Sequence, residues 1–416
     1  MVSRGRVFVV TLGDSASSLP PLLHEGISLA AAGFEVESLH GGSPSSGTDT
    51  HAPGFTSRRF SLGTRRFFRA LFGGAARGAI LKVQQLLTYG EFVLRAFAAA
   101  LRSRADVYEA HDLPALLPTV LAAKIRGKPV LYHANELFPE THPRVRFAWF
   151  WRALERRLVP WCDEVITPDE HRGRIYRDEY RARRMPLTVR NCPPYRPPIE
   201  STQLRDLLER RGFEFSSVVL YQGLVDSMRC IEELADATRS FDPGVVLAVL
   251  GSGFGTWADP AARLAAFDRI VVLPRVPYHQ LAPYTASADM GVLLYRNDCR
   301  NNYYCAPNKL FEYMMMGRPV IAPRFPGLVP LVEGEGVGLC VDPGDPGEIA
   351  SAVNRLASDP GLRARMRANA LRLSRERYNW AVEFRPLLER FVSLAAPAAE
   401  GPLVAGVSRR RSGEAR

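Results

Sequence analysis

The stretch VVLYQGLVDSMRCIEEL, residues 218–234, indicates the fold. Its first four residues are all apolar, as a strand requires when helices cover both faces of a parallel sheet. Gly223 follows this run, a short polar loop then carries Arg229, and a helix-length segment begins after it. Strand, glycine turn and helix in this order predict a Rossmann-like unit, in which ligands bind beyond the carboxyl ends of the strands.

Apolar runs of this kind recur along the chain and alternate with helix-length segments. The predicted strands are VFVVT (7–11), PVLY (129–132), EVIT (164–167), VVLY (218–221), VVLAVL (245–250), IVVL (270–273), GVLL (291–294), PVIA (319–322) and GLCV (338–341). The alternation predicts an α/β fold with two Rossmann-like domains that face each other across a cleft.

The segment RNCPPYRPP, residues 190–198, separates the two halves, because its four prolines disfavour regular structure. The predicted parts are an N-terminal domain (1–190), a Pro-rich linker (191–198), a C-terminal domain (199–380), a last helix (381–396) and a disordered basic tail (397–416).

The composition is that of a globular protein, with 46% hydrophobic residues and a net charge of +11 over 416 residues. The positive charge favours anionic partners, but no recognition motif supports nucleic-acid binding. The six cysteines show neither zinc spacing nor a disulfide pattern, so we expect no metal and no cofactor. A cytoplasmic location is expected, since no secretion signal or membrane-length apolar run is present.

The segment PNKLFEYMMMGRPVIAP, residues 307–323, places Lys309 and Glu312 one turn apart at the start of a helix. The open N–H groups of a helix end together with a lysine suit a pyrophosphate, and a carboxylate one turn on suits ribose hydroxyls. A solvent-exposed ion pair is the alternative that spacing alone favours. The carboxyl ends of two other predicted strands carry Gly223 with Arg229, and Gly251 with Gly253, which favours a ligand site.

These motifs together resemble the retaining GT-B glycosyltransferases of the glycogen-synthase-like "group 1" family, which use nucleotide-sugar donors. The matching stretches include YQG…R, VLGSG, ASADMGVLL and PNKLFEY in the second half, and VYEAHDLPALLPTVLAA, LYHANELFPE and CDEVITPDE in the first. The closing RYNWAVEFRPLLERF (377–391) resembles the family's last helix, which crosses back to the first domain.

The resemblance implies two overlapping sets of site residues. The predicted catalytic residues are His111, Glu136, Arg229 and Lys309. The predicted nucleotide-binding residues are Gly223, Arg229, Gly251, Gly253, Lys309 and Glu312, and the candidates for contact with the donor sugar or the acceptor are His133, Asn135, Cys305 and Asn308. The implied reaction is transfer of a sugar from a nucleotide sugar to a glycan, lipid-linked or small-molecule acceptor. The implied role is cell-envelope or exopolysaccharide assembly. Basic side chains, instead of a metal, would neutralise the diphosphate.

Several positions depart from the family pattern. Cys305 stands where the family usually has a glutamate, Leu224 stands where a basic residue often follows the glycine, and Cys230 follows Arg229 where the family commonly has glycine. Relatives often read Tyr-Asp-x-His-Glu where this chain has His133 and Asn135 before Glu136. A nucleotide-sugar 2-epimerase and a non-catalytic binding subunit are therefore retained as alternatives.

The segment 56–82 interleaves arginines with phenylalanine and leucine. It predicts either an amphipathic element that contacts an anionic membrane, which suits a lipid-linked acceptor, or a solvated helix face.

Overall fold

The computed structural model describes residues 4–16, 19–72, 78–142 and 145–396. The tail predicted to be disordered, 397–416, lies outside the described residues. Within these ranges, no helix combines the length and the apolar composition needed to cross a membrane.

The first domain is built on an eight-stranded sheet in the order β3-β4-β2-β1-β5-β6-β7-β8. All its neighbouring strands are parallel except β3 and β4, which pair in antiparallel fashion. The strands are β1 (Arg6–Thr11), β2 (Glu35–Gly41), β3 (Gly47–Ala52), β4 (Phe55–Phe60), β5 (Val107–His111), β6 (Val130–His133), β7 (Glu164–Thr167) and β8 (Leu187–Thr188). The helices are α1 (Pro20–Ala31), α2 (Gly63–Phe72), α3 (Gly78–Ser103), α4 (Leu113–Ile125), α5 (Ala148–Leu158) and α6 (Glu170–Asp178).

The second domain is built on a six-stranded parallel sheet in the order β11-β10-β9-β12-β13-β14. The strands are β9 (Ser217–Val225), β10 (Val245–Gly253), β11 (Ile270–Leu273), β12 (Met290–Val292), β13 (Val320–Pro323) and β14 (Gly338–Val341). The helices are α7 (Gln203–Arg210), α8 (Ile231–Ala237), α9 (Pro260–Leu264), α10 (Leu281–Ser287), α11 (Arg300–Tyr303), α12 (Asn308–Met315), α13 (Pro346–Ser358), α14 (Pro360–Glu376) and α15 (Trp380–Ala395).

The α/β class and the two parallel sheets predicted from the sequence are confirmed. Each of the nine predicted apolar runs overlaps a strand, and three of them (164–167, 270–273 and 338–341) match a strand end to end. Strands β2, β3, β4, β5 and β8 were not predicted. Most of these carry polar residues, and β3 and β4 form an antiparallel edge that an alternation of strands and helices does not reveal.

Residues 189–202 between the two sheets contain neither helix nor strand. The last helix, α15, packs on the first domain, where Trp380, Phe384, Leu387 and Phe391 share an apolar core with residues such as Val7. The exact domain boundaries given above stay predictions.

The two domains also meet directly, opposite the linker. Arg172 on α6 donates to the backbone carbonyls of Tyr304 (2.7 Å) and Asn301 (2.9 Å) in the second domain. The same guanidinium donates to the carbonyl of Asn135 in its own domain. Arg172 is 4% exposed, and an arginine buried this far is held by the three carbonyls that it satisfies. The segment around α11 is thereby fixed against the first domain.

Candidate active site between the two domains

A cleft of about 780 Å³ lies between the carboxyl ends of the two sheets. The predicted site residues that line it are His111, Asn135, Glu136, Gly223, Arg229, Gly251, Cys305, Asn308, Lys309 and Glu312. Residues from both domains therefore face one opening, as the architecture predicts for a ligand bound between two Rossmann-like units.

The floor of the second-domain side is shaped by two glycines in register on neighbouring strands, Gly223 on β9 and Gly251 on β10. Gly223 has a φ of +118°, and a Cβ there would lie 2.5 Å from Cε of Lys309. A Cβ on Gly251 would lie 1.8 Å from the carbonyl oxygen of Gly223. Only glycine fits both positions, since the first needs a left-handed backbone and the second a close backbone approach.

Lys309 and Arg229 bring two positive charges to this floor. The ammonium of Lys309 lies 4.6 Å from the ring centre of Tyr221, and the guanidinium carbon of Arg229 lies 4.2 Å from the ring centre of Tyr295. Burial and the charge of Arg229 lower the pKa of Lys309 to about 7. Among the described residues Lys309 forms no ion pair, and Arg229 has only Asp226 at 3.9 Å. Because so little negative charge of the protein offsets these two cations, the site favours an anionic ligand.

Glu312 lies on the next turn of α12 and is oriented by its neighbours. The side-chain nitrogen of Gln222 donates to Oε2 of Glu312 at 2.6 Å, and the hydroxyl of Thr285 donates to the side-chain oxygen Oε1 of Gln222 at 2.9 Å. Burial raises the pKa of Glu312, and this effect exceeds the lowering by the hydrogen bond from Gln222 and by the charge of Lys309. One carboxylate oxygen is thus fixed by protein, while the carboxylate as a whole faces the cleft.

The first-domain wall places His111, Asn135 and Asp112 side by side. The side-chain nitrogen of Asn135 lies 3.2 Å from Nδ1 of His111, and the backbone N–H of Asn135 donates to Asp112 at 3.1 Å. Burial, then the charge of His133, lowers the pKa of His111 to about 3, which keeps its imidazole neutral. Burial and the charge of Glu136 raise the pKa of Asp112 to about 6. This wall offers hydrogen-bonding groups suited to hydroxyls.

Cys305 and Asn308 border the cleft where α12 begins. Cys305 is buried, and burial raises the pKa of its thiol to about 12, so the side chain is uncharged at neutral pH. A neutral thiol accepts hydrogen bonds weakly, unlike the glutamate usual in the family. Asn308 is the first residue of α12, and Pro307 directly precedes the helix rather than lying in its first turn.

Two predicted site residues do not line the cleft. A Cβ on Gly253 would lie 1.5 Å from the carbonyl oxygen of Trp257, so this glycine serves the tight turn after β10. His133 is 1% exposed and lies beneath the wall, against Glu25 and Glu109. His133 was predicted to contact a sugar in the cleft. The structure instead places it below the cleft surface, where it cannot reach a sugar.

The cleft lining also includes residues that the sequence analysis did not select, among them Asp112, Arg172 and Gln222. Gln222 directly precedes Gly223 and was quoted within the motif, yet its role depends on Thr285, 63 residues further on. Asp112 adopts a φ of +64°, uncommon for a residue with a side chain. No local sequence pattern indicated a role for Arg172, because its hydrogen-bond partners lie in two domains.

Two sheet-and-helix domains with a cationic cleft between them define a GT-B type of protein. The model of the family described as glycosyl transferases group 1 matches residues 218–359, and the model of glycosyltransferase family 4 matches residues 26–193. Together they cover most of both domains. The chain belongs to the group 1 glycosyltransferases of the GT-B fold and is a glycosyltransferase.

Similar proteins agree with this assignment. A D-inositol 3-phosphate glycosyltransferase of Stackebrandtia nassauensis is 27% identical over 345 residues, which is 74% of this chain and 72% of that protein. Among solved structures, sucrose-phosphate synthase from Thermosynechococcus elongatus has a TM-score of 0.71 at 18% identity, covering 94% of this chain and all of that one. Anabaena HepE in complex with UDP-glucose has a TM-score of 0.67 at 16% identity, with the same coverage.

Proposed function

We propose that this glycosyltransferase transfers a sugar, with retention of anomeric configuration, from a nucleoside-diphosphate donor to an acceptor hydroxyl. The observation that supports the proposal is the convergence of Arg229, Lys309 and Glu312 at one strand edge, around the backbone left open by Gly223 and Gly251. The two cations match a diphosphate, and the oriented carboxylate matches ribose hydroxyls.

The leaving group determines what these residues do. As the bond from C1 of the sugar to the phosphate oxygen breaks, negative charge develops on the departing diphosphate. Arg229 and Lys309 stabilise that charge without a metal. In the route that the family resemblance implies, the acceptor oxygen bonds to C1 on the same face, and its proton moves to the departing phosphate. No enzyme carboxylate at C1 is needed, in contrast to double displacement.

The acceptor binds against the first-domain wall in this proposal, where Asn135 and Glu136 face the cleft beside the ring of His111. The names of relatives support an acceptor rich in hydroxyls, since one acts on an inositol phosphate and one forms sucrose phosphate. The complex of HepE with UDP-glucose supports a uridine nucleotide sugar as the first donor to test.

The test is a screen of UDP-, GDP- and ADP-sugars against sugar, polyol and lipid-linked acceptors. We expect nucleoside diphosphate to form only when a donor and its acceptor are both present, and NMR of the product to show the donor's anomeric configuration. An inverted linkage would exclude retention. Absence of binding to every nucleotide sugar by a folded protein would exclude the donor class, and an epimerised donor without acceptor would favour the isomerase alternative.

A second part of the proposal concerns a membrane surface, and it corrects the extent of the predicted amphipathic segment. Residues 56–60 belong to β4, whereas the arginine-rich part is helix α2, which lies beside α3. Phe67 and Leu71 on α2 are 61% and 57% exposed, and Leu86 on α3 is 68% exposed. Arg65, Arg66 and Arg69 on the same helix are exposed as well.

We infer that this surface docks on anionic lipid, because apolar side chains flanked by arginines match a negatively charged interface. Its position is suitable for a lipid-linked acceptor: Arg65 donates to the carbonyl of Gly42 at 3.1 Å, and Gly42 follows β2 at the carboxyl edge of the sheet, which faces the cleft.

Vesicle sedimentation tests the docking. Replacing Arg66 and Arg69 by serine is expected to lower affinity for phosphatidylglycerol-containing vesicles by roughly thirtyfold, from about 1 kcal/mol per basic residue. A matched control replaces Arg372 and Arg375, two exposed arginines on α14. Equal binding of the wild-type protein to neutral and anionic vesicles would contradict the inference.

A further inference from the structure

Beneath the first-domain wall, four buried ionisable side chains meet: Glu25 of α1, Glu109 and His111 of β5, and His133 of β6. Each is at most 2% exposed. One ligand-type atom from each lies within 4.8 Å of the other three. Two carboxylates and two imidazoles at this depth require an explanation, because isolated buried charges are costly.

Four of the six distances between these atoms are close to those of a tetrahedral coordination shell, and the other two are at most 4.8 Å. Nδ1 of His133 lies 3.1 Å from Oε2 of Glu25 and 3.3 Å from Oε1 of Glu109. Nε2 of His111 lies 3.6 Å from each of the same two oxygens. Bonds of about 2.0–2.2 Å from zinc to nitrogen and oxygen imply ligand-to-ligand edges of about 3.3–3.6 Å in a tetrahedron.

Hydrogen bonding within the protein does not account for the cluster. Nε2 of His111 is buried without a hydrogen-bond partner, although it points at two carboxylates. At 3.6 Å it is too far from either oxygen for a hydrogen bond, but it is well placed to share a cation with both. One oxygen each of Glu25 and Glu109 also lacks a partner. A divalent cation would neutralise both carboxylates while the imidazoles stay neutral.

The outer neighbour of His111 fits the same arrangement. A histidine that binds metal through Nε2 carries its proton on Nδ1 and usually donates it to a carbonyl or carboxylate. Nδ1 of His111 lies 3.2 Å from the side-chain amide of Asn135, whose oxygen is buried without a partner. Exchanging the nitrogen and oxygen of that amide supplies the acceptor, since the two atoms are alike in shape, at the cost of the side-chain bond from Asn135 to Asp112.

The rival arrangement is a protonated His133 shared by the two carboxylates. Burial lowers the pKa of His133, but hydrogen bonds to Glu109 and Glu25 raise it by more, to about 10. A protonated His133 fits that arrangement. It leaves Nε2 of His111 unpartnered, whereas a shared cation uses one atom of each of the four side chains; Nε2 of His133 lacks a partner in both arrangements. The four ligands are spread from residue 25 to residue 133, so no local motif in the sequence revealed them.

We propose that Glu25, Glu109, His111 and His133 form a closed, four-coordinate site for a divalent metal ion with the coordination chemistry of zinc. Four protein ligands leave no open position, as in structural zinc sites. The ion would fasten α1 to β5 and β6 and fix the tautomer and orientation of His111 at the cleft wall. This site is separate from the diphosphate site on the second domain.

Metal analysis tests the proposal without reference to catalysis. The full chain, freed of any purification tag and gel-filtered in metal-free buffer, is expected to contain about one zinc per molecule by plasma mass spectrometry. The same protein stripped with a chelator should melt at a lower temperature, and added zinc should restore the melting temperature with saturation at one equivalent. These two arms use the unaltered sequence, so they hold even if variants fold poorly.

Variants identify the ligands. Glu25→Gln and His133→Gln should lose the bound zinc, whereas Glu155→Gln should keep it. Glu155 is a matched control, because its carboxylate is equally buried in the first domain but accepts hydrogen bonds from Tyr132 and Tyr176, both at 2.6 Å. Stripped wild-type protein that neither binds added zinc nor changes its melting temperature would overturn the proposal, as would zinc retained at full occupancy in both ligand variants.

Discussion

Lys309→Ala is expected to lower kcat by roughly 10²–10³-fold, the usual cost of removing one group that stabilises charge in the transition state. The affinity for the nucleotide sugar should fall less, by about tenfold, because the ground-state diphosphate still contacts Arg229 and the helix end. The physical reason is that the charge on the departing diphosphate grows only as the sugar bond breaks. Steady-state and single-turnover rates at saturating donor measure the effect.

Lys128→Ala is the matched control for this variant. Lys128 pairs with Asp106 at 3.0 Å on the first domain and does not line the cleft, so kcat should stay at the wild-type value. A Lys309→Ala enzyme with an unaltered kcat but reduced donor affinity would show that Lys309 binds the ground state and the transition state equally, contrary to the proposal.

The ionisation of Lys309 adds a pH dependence with a definite sign. Its pKa of about 7 means that the free enzyme loses this charge as pH rises through neutrality. A bound diphosphate favours the protonated lysine, so donor affinity should fall between pH 7 and pH 9 and level off near the tenfold loss expected for Lys309→Ala. A nucleotide sugar suits the titration because its diphosphate, esterified at both ends, keeps the same charge over this range. Lys309→Arg should remove the dependence, since arginine stays charged.

Glu312→Ala should weaken nucleotide binding by about 1.5–3 kcal/mol for each ribose hydroxyl that loses its charge-assisted bond, roughly ten- to 150-fold per bond. Calorimetry with UDP, or with whichever nucleotide the screen identifies, measures the loss. The prediction is specific to the ribose: the variant should no longer distinguish the nucleotide from its 2′,3′-dideoxy analogue, and its affinity for inorganic pyrophosphate should be unchanged.

Glu348→Ala provides the control, because this partly buried carboxylate of the second domain pairs with Arg324 and lies outside the cleft. Gln222→Ala should give an intermediate loss, since it removes only the amide that orients Glu312. If Glu312→Ala weakened pyrophosphate as strongly as the nucleotide, the carboxylate would be shaping the helix end rather than binding ribose.

The fold was predicted wherever burial on both faces left an uninterrupted apolar run, as in β7, β11 and β14. Strand β5 shows why other strands were not predicted. It reads VYEAH and is fully buried, yet it carries Glu109 and His111, whose partners Glu25 and His133 come from other elements. A polar residue in a buried strand is tolerated only with such partners, and a single local pattern cannot show that they exist.

The candidate site was also predicted only in part. Lys309 and Glu312 were found because they lie one turn apart on a helix. The next residue, Tyr313, is buried and its hydroxyl donates to the carbonyl of Leu220 at 2.8 Å, so the core begins directly after Glu312. The first-domain wall depends on contacts such as Arg172 with Asn301, which join residues more than a hundred positions apart.

The crossing of α15 onto the first sheet has a consequence for biosynthesis. Phe391 and Leu387 complete a core that begins with Val7 and Val9, so a nascent chain released from the ribosome only as far as the linker exposes an unfinished apolar face. That face stays uncovered while nearly two hundred further residues are translated. The amino-terminal half should consequently recruit chaperones during synthesis and should aggregate when it is expressed as an isolated fragment.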